Sequence, residues 1–322
     1  MRLSLLDRSR TRAGQTDAEA IAATVARGVR ADEIGYDRFW VAEHHAVPGI
    51  ATSAPSTLLA ALGARTSRIR LGSGGVMLPL HQPLVVAEQF LLLEALHPGR
   101  IDLGLGRSLG FTPPVRRALR REEQDADDFE HDLRELRSFL EGTSEVTPRP
   151  AVAGVVPMHV LAIGGGVDVA ARLGLPVALG GGDLLSDEVA ERLAAYRRTF
   201  RPWRGSTPWV TVSLDVMVAD DDATARELAL PEAWAMAQSR RTGVFPPLEA
   251  VKVIRDQDWP AQVRTRVEAS LDRAVAGGVD RVRRRLEQLA ERTGADELLA
   301  STSTYDVDAL AESDSALRTL LA

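Results

Sequence analysis

The chain contains no cysteine. That excludes disulfides, thiolate catalysis and zinc–thiolate sites. It contains a single lysine, Lys252, against many arginines, a bias that reads as high-GC coding rather than chemistry. No basic stretch lacks acidic neighbours, so nothing points to a nucleic-acid partner. The arginine run around Arg281, Arg283, Arg284 and Arg285 sits inside a helical pattern and reads as a solvated face. No apolar run approaches the length needed to span a bilayer. The sequence begins directly on a strand-like Met1-Arg2-Leu3-Ser4-Leu5-Leu6, so no signal peptide is expected and the cytoplasm is the expected location.

What remains is 322 residues, 45% hydrophobic, with a net charge of −6. Short apolar runs alternate with longer amphipathic segments. Strands are expected at 2–6, 38–42, 69–77, 101–105, 158–163, 176–179, 209–218 and 297–300. A helix is expected over Asp17–Ile34, with Ile21, Val25 and Val29 on its inner face, Thr16 as N-cap, Glu19 completing a capping box and Gly35 as terminator. Further helices are expected at 53–65 and 84–96. Eight βα units predict a (β/α)8 TIM barrel rather than an open sheet. Two segments exceed eight minimal units: 116–150, with its charged run Arg120, Arg121, Glu122, Glu123, Asp125, Asp127 and Asp128, and 231–279. Both read as insertions over the barrel mouth or at an oligomer contact, within one domain covering 1–322.

In a barrel the loops after the strands line one pocket. Chemistry-bearing residues fall there repeatedly. Strand two ends in Glu43-His44-His45, strand three in Ser73-Gly74-Gly75-Val76-Met77, and strand four in Gly104-Leu105-Gly106-Arg107. Strand five ends in Gly164-Gly165-Gly166, strand six in Gly180-Gly181-Gly182-Asp183, and the last in Ser301-Thr302-Ser303. Glu43, His44 and His45 are the candidate catalytic residues, since a histidine with an ordinary pKa near 6.5 suits proton transfer. Glycines 164–166 precede a helix whose amides form an anion site, and Arg107 can add a bidentate charge for a phosphate. The plainer reading of those glycines is tight βα turns. Glycine at 74–75, inside an apolar strand, marks a bulge or the close approach of a flat ligand. No metal is expected. Adjacent histidines at a strand end point to opposite sides, and helical HExxH spacing is absent.

Trp40–His45, Ser73–Pro79, Ala87–Phe90 and Leu96–Arg107, with a weaker continuation over 281–305, resemble the bacterial luciferase-like flavin monooxygenases. The resemblance implies a luciferase-like (β/α)8 barrel that binds FMN or a deazaflavin at its C-terminal mouth. It also implies a homodimer and a separate reductase that supplies reduced FMN. By this resemblance His44 acts in catalysis or substrate positioning, with His45 beside it. Ser73, Gly74 and Gly75 lie against the flavin ring around an unusual cis peptide bond, with Met77 beside them. Arg107 contacts the phosphate, and Glu88 lies near the pocket. The expected activity is oxygenation of a small organic substrate with reduced FMN and O2. The alternatives are a deazaflavin-dependent hydride transfer, with Arg116, Arg117, Arg120 and Arg121 receiving an acidic cofactor tail, and a non-catalytic barrel with a decayed flavin site. Two departures stand out. Most relatives in that family carry serines where this chain has Gly164-Gly165-Gly166-Val167-Asp168, and they often carry histidine or aromatic residues where it has Gly180-Gly181-Gly182.

Overall fold

The computed structural model describes residues 1–110, 112–121 and 126–321. Glu122, Glu123 and Asp125 of the charged run lie outside the described residues. The first elements are β1 (Arg2–Asp7), α1 (Asp17–Ile34), β2 (Arg38–Val41), α2 (Pro55–Gly63), β3 (Arg70–Ser73), β4 (Val76–Met77), a single 3-10 turn Leu78–Leu80, α3 (Pro83–Leu96) and β5 (Ile101–Gly106). Then come α4 (Pro113–Ala118), α5 (Ala126–Leu140), β6 (Met158–Ala162), α6 (Gly166–Leu173), β7 (Val177–Gly180), α7 (Asp187–Thr199), β8 (Val210–Leu214) and β9 (Val216–Val218). The chain continues through α8 (Asp222–Thr242), α9 (Val251–Arg255), α10 (Ala261–Arg273), β10 (Val275–Gly277), α11 (Val279–Thr293), β11 (Glu297–Ala300) and α12 (Val307–Leu320).

Eight parallel strands close in the order β1-β2-β3-β5-β6-β7-β8-β11, and β11 returns to β1 with Arg2 opposite Glu297. This is the expected (β/α)8 barrel. Helices α1, α2, α3, α5, α6, α7, α11 and α12 follow the eight strands in turn. The strands are buried on both sides, which is why they read as continuous apolar runs. Toward the strand starts the interior is charged. Arg38 donates to Asp102 at 3.0 Å and to Glu297 at 2.7 Å, and both carboxylates are buried. Such a pair holds only because each charge has its counter-charge within hydrogen-bond reach.

Four local expectations are corrected. Helix α1 has its capping box as read, with Gly35 left-handed at φ 88. Its inner face, however, is Ala20, Thr24, Val25, Arg27, Gly28 and Ala31, while Ile21 is exposed. The cause is Arg27, which turns inward to pair with Asp7 and Asp314. The strand expected at 69–77 is broken into β3 and β4 at a cis peptide between Gly74 and Gly75. The strand expected at 209–218 is broken into β8 and β9 at Asp215. Finally, 116–150 is not wholly surplus. It contains α5, whose Phe129, Leu133, Leu136 and Phe139 are buried in the main core. The other segment builds a small core of its own, where Trp234, Ile254, Val263 and Val267 meet between α8, α9 and α10.

Candidate active site

The C-terminal strand ends gather the polar residues. Beyond β2, Glu43 is buried and His44 and His45 are half-buried. One oxygen of Glu43 lies 2.6 Å from Nε2 of His45 and 2.7 Å from Nε2 of His81; its other oxygen accepts the Met77 amide at 2.9 Å. Burial alone would raise the Glu43 pKa. The bonds to His45 and His81, the charge of His81 and the Met77 amide outweigh it and hold the pKa down at about 2. Glu43 is therefore a fixed anion. It ties the end of β2 to β4 and to the turn after it.

His44 faces a different set of groups. Burial, followed by the positive charges of Arg8 and Arg10, lowers its pKa to about 4, with Glu43 opposing and His45 adding to the fall. The ordinary value near 6.5 expected from sequence is corrected here. At neutral pH the ring is uncharged, so it can accept a proton but holds none to give from an imidazolium.

Arg8 and Arg10 follow β1. Arg8 reaches Asp215 at 3.1 Å and Glu232 at 3.3 Å and donates to the Ser301 carbonyl at 2.7 Å. Arg10 donates from Nε to Glu232 at 2.9 Å, packs 4.3 Å over the ring of Phe245, and bonds the carbonyls of Gly49 and Pro246. Ser301 closes the ring with a hydroxyl bond to Asp215 at 2.8 Å. A cleft lined by Asp215, Met217, Glu232, Thr302 and Ser303 opens between the α8–α10 segment and the ends of β8 and β11.

On the adjoining strands the backbone matters more than the side chains. Ser73 is fully buried and its hydroxyl is committed to Gly104, donating to the carbonyl at 2.8 Å and accepting the amide at 3.0 Å. A Cβ on Gly104 would stand 2.1 Å from the Ser73 carbonyl, and one on Gly75 would stand 2.7 Å from the Gly104 carbonyl. Only glycine permits this approach. Met77 is buried two residues beyond Gly75.

Arg107 is exposed at the end of β5 and forms no ion pair among the described residues. Gly164, Gly165 and Gly166 lead into α6, whose first turn has no side-chain cap, and a Cβ at Gly165 would meet nothing within 4 Å. Asp168 is exposed on that helix. Nη1 of Arg192, from α7, lies 3.3 Å from a Cβ placed on Gly164. Glu88 sits elsewhere. It lies midway along α3 in the outer layer, and its carboxylate accepts the Arg149 amide at 3.3 Å.

Sequence reasoning did not name His81, Arg8, Arg10, Asp215, Glu232 or Arg192 as site residues. Arg8 and Arg10 were findable by the strand-end rule applied to β1. Asp215 was hidden inside one long expected strand. His81 stands two residues after the motif ending at Pro79, and nothing local ties it to Glu43.

The profile of the luciferase-like monooxygenase family matches residues 1–297. A luciferase-like monooxygenase of Escherichia coli (strain K12) is 35% identical over 311 residues, covering 94% of this chain and 92% of that protein. The crystal structure of apo-MsnO8 has a TM-score of 0.90 at 33% identity, covering 99% of this chain and 98% of its own. The oxygenating constituent of 3,6-diketocamphane monooxygenase from Pseudomonas putida, solved in complex with FMN, shares the fold at a TM-score of 0.74 and 18% identity over 99% of this chain and 96% of its own.

Proposed function

The chain belongs to the luciferase-like monooxygenase family, and from that premise we propose that it is a flavin-dependent monooxygenase using reduced FMN and O2 to oxygenate a small organic substrate. The observation that carries this reading is the convergence of His44 and the cis Gly74–Gly75 peptide at one mouth, with Arg107 and the uncapped α6 N-terminus on neighbouring strand ends. These residues fit the cofactor. The glycine backbone with Met77 offers a flat wall for the ring. Arg107, Arg192 and the amides of Gly165 and Gly166 offer charge and donors for the phosphate, replacing the serine hydroxyls that relatives carry. The diketocamphane monooxygenase structure holds FMN on this same fold.

Bound reduced flavin would supply the electrons that activate O2; the protein orients it and excludes water. His44, neutral at pH 7, takes up a proton or holds a substrate oxygen by hydrogen bonding. Glu43 fixes the loop from which His44 projects. The α8–α10 segment, clamped by Arg10 and Glu232, covers the mouth. We also propose that a separate reductase supplies the flavin, that the chain works in the cytoplasm, and that it acts as a homodimer. No helix among the described residues is long and apolar enough to cross a membrane.

The test is a titration with FMN in both redox states, followed by anaerobic loading and exposure to O2 with substrate. His44→Ala is expected to keep flavin binding and lose about 10²–10⁴-fold in oxygenation, while Arg107→Ala weakens binding itself. Full oxygenation by His44→Ala rejects that role. Preference for a deazaflavin supports hydride transfer instead, and binding of neither cofactor supports a non-catalytic barrel.

A further inference from the structure

Glu43, His45 and His81 share a geometry that the flavin reading does not use. Both imidazoles aim Nε2 at one carboxylate oxygen, at 2.6 and 2.7 Å, although His81 lies 38 residues after Glu43 and on a different element. One nitrogen from each ring and one carboxylate oxygen all lie within 4.8 Å of one another. Glu43 is closed in at 1% side-chain exposure, while the rings of His45 and His81 are 19% and 30% exposed. The cluster therefore has a buried floor and an open side. The sequence argument against a metal concerned His44 and His45, and His44 is not part of this cluster. The second imidazole comes instead from His81.

We propose that Glu43, His45 and His81 form a binding site for one divalent first-row transition ion of the Zn2+, Co2+, Ni2+ or Fe2+ class. Two imidazole nitrogens and a carboxylate oxygen match the preferences of those ions, whereas Mg2+ and Ca2+ require oxygen ligands. Metal–ligand bonds run at about 2.0–2.2 Å. Two ligands at right or tetrahedral angles around such an ion stand about 3.0–3.5 Å apart. Each ring thus has to open from Glu43 by about 0.3–0.9 Å, a small motion for a partly exposed side chain. The Met77 amide, at 2.9 Å from the other oxygen of Glu43, orients the carboxylate from outside the ligand set. The remaining coordination positions face the open side, where water or a small anion can complete them.

The inference does not depend on flavin chemistry, so it is tested without flavin. The full chain, free of any histidine tag and stripped by chelator, is titrated with Co2+ while visible d–d absorption is followed, and with Zn2+ against a chromophoric chelator. One equivalent is expected. His81→Ala should lower affinity by more than the roughly 10–100-fold that loss of an outer-sphere partner costs, and His44→Ala should keep the full equivalent. Circular dichroism and melting confirm that each variant is folded; Glu43→Gln serves as the second ligand variant, since its amide can still accept the Met77 bond. Absence of ligand-field bands in the wild-type chain overturns the proposal. So does binding that His81→Ala and Glu43→Gln leave unchanged.

Discussion

His44 and His159 both titrate near pH 4 rather than near 6.5, and burial is the leading cause at each. At His159 the charges of Arg38 and Arg70 add to burial and Asp102 opposes it. The folded chain therefore refuses protons that the unfolded chain accepts between about pH 6.5 and 4. Stability is complete above the unfolded pKa and falls as pH drops through that window, with a slope of about 1.4 kcal/mol per pH unit for each such group. For His159, whose side chain is only 4% exposed, the loss reaches roughly 3 kcal/mol by pH 4; His44 is half-buried and contributes less. Denaturant unfolding across this range should therefore show steep acid sensitivity. His159→Asn should flatten the curve by close to one proton; an unchanged slope would remove His159 as its source. Glu43, held at about 2, acts in the opposite charge sense and lower down, releasing its stabilisation as pH falls from its unfolded value toward 2. The place of His44 at a strand end was legible in the sequence. Its charge state was not, because Arg8 and Arg10 reach it only through the fold.

At the scale of elements, the periodicity located the eight barrel strands and helices α1, α2 and α3, and failed where a side chain had business across the chain. Ile21 was expected inside, but Arg27 claims the inner face of α1 through Asp7 and Asp314. The run 209–218 is apolar almost throughout, yet Asp215 interrupts it to meet Arg8 and Ser301. The segment 231–279 was read as an insertion over the barrel mouth or at an oligomer contact, and its attachment to the barrel is now specific. Glu232 on α8 is 6% exposed and is the shared counter-charge of Arg8 and Arg10. Leu248 exchanges backbone bonds with Thr11 and Ala13 in the loop after β1. Replacing Glu232 by Gln keeps the shape and removes the charge, leaving two buried guanidiniums short of a partner. The expected cost is about 3–5 kcal/mol, concentrated in the clamp. Hydrogen exchange should show 222–273 opening before the barrel strands. Uniform loss of protection over the whole chain would contradict a local clamp.

For the whole molecule, the barrel was readable because eight apolar runs recur with helices between them. The assembly state depends on a surface whose partner is another chain. Helix α3 is apolar nearly all round. Val86, Ala87, Phe90, Leu91 and Leu93 face the core, but Val85, Leu92 and Leu96 are 45%, 52% and 56% exposed. Steps of seven and four residues at 3.6 per turn keep those three on one face. A helix apolar on every side is ordinarily covered on every side, and an exposed apolar stripe flanked by polar residues marks an interaction surface. The homodimer implied by the family resemblance would cover this stripe. Sedimentation should give about twice the chain mass at micromolar concentration. Leu92→Glu with Leu96→Glu should shift the equilibrium to monomer, because each desolvated leucine contributes about 1.5–3 kcal/mol across the two copies, enough for at least a hundredfold change in dissociation constant. A double variant that stays dimeric places the interface elsewhere. A monomeric wild-type chain leaves the exposed leucines without that partner.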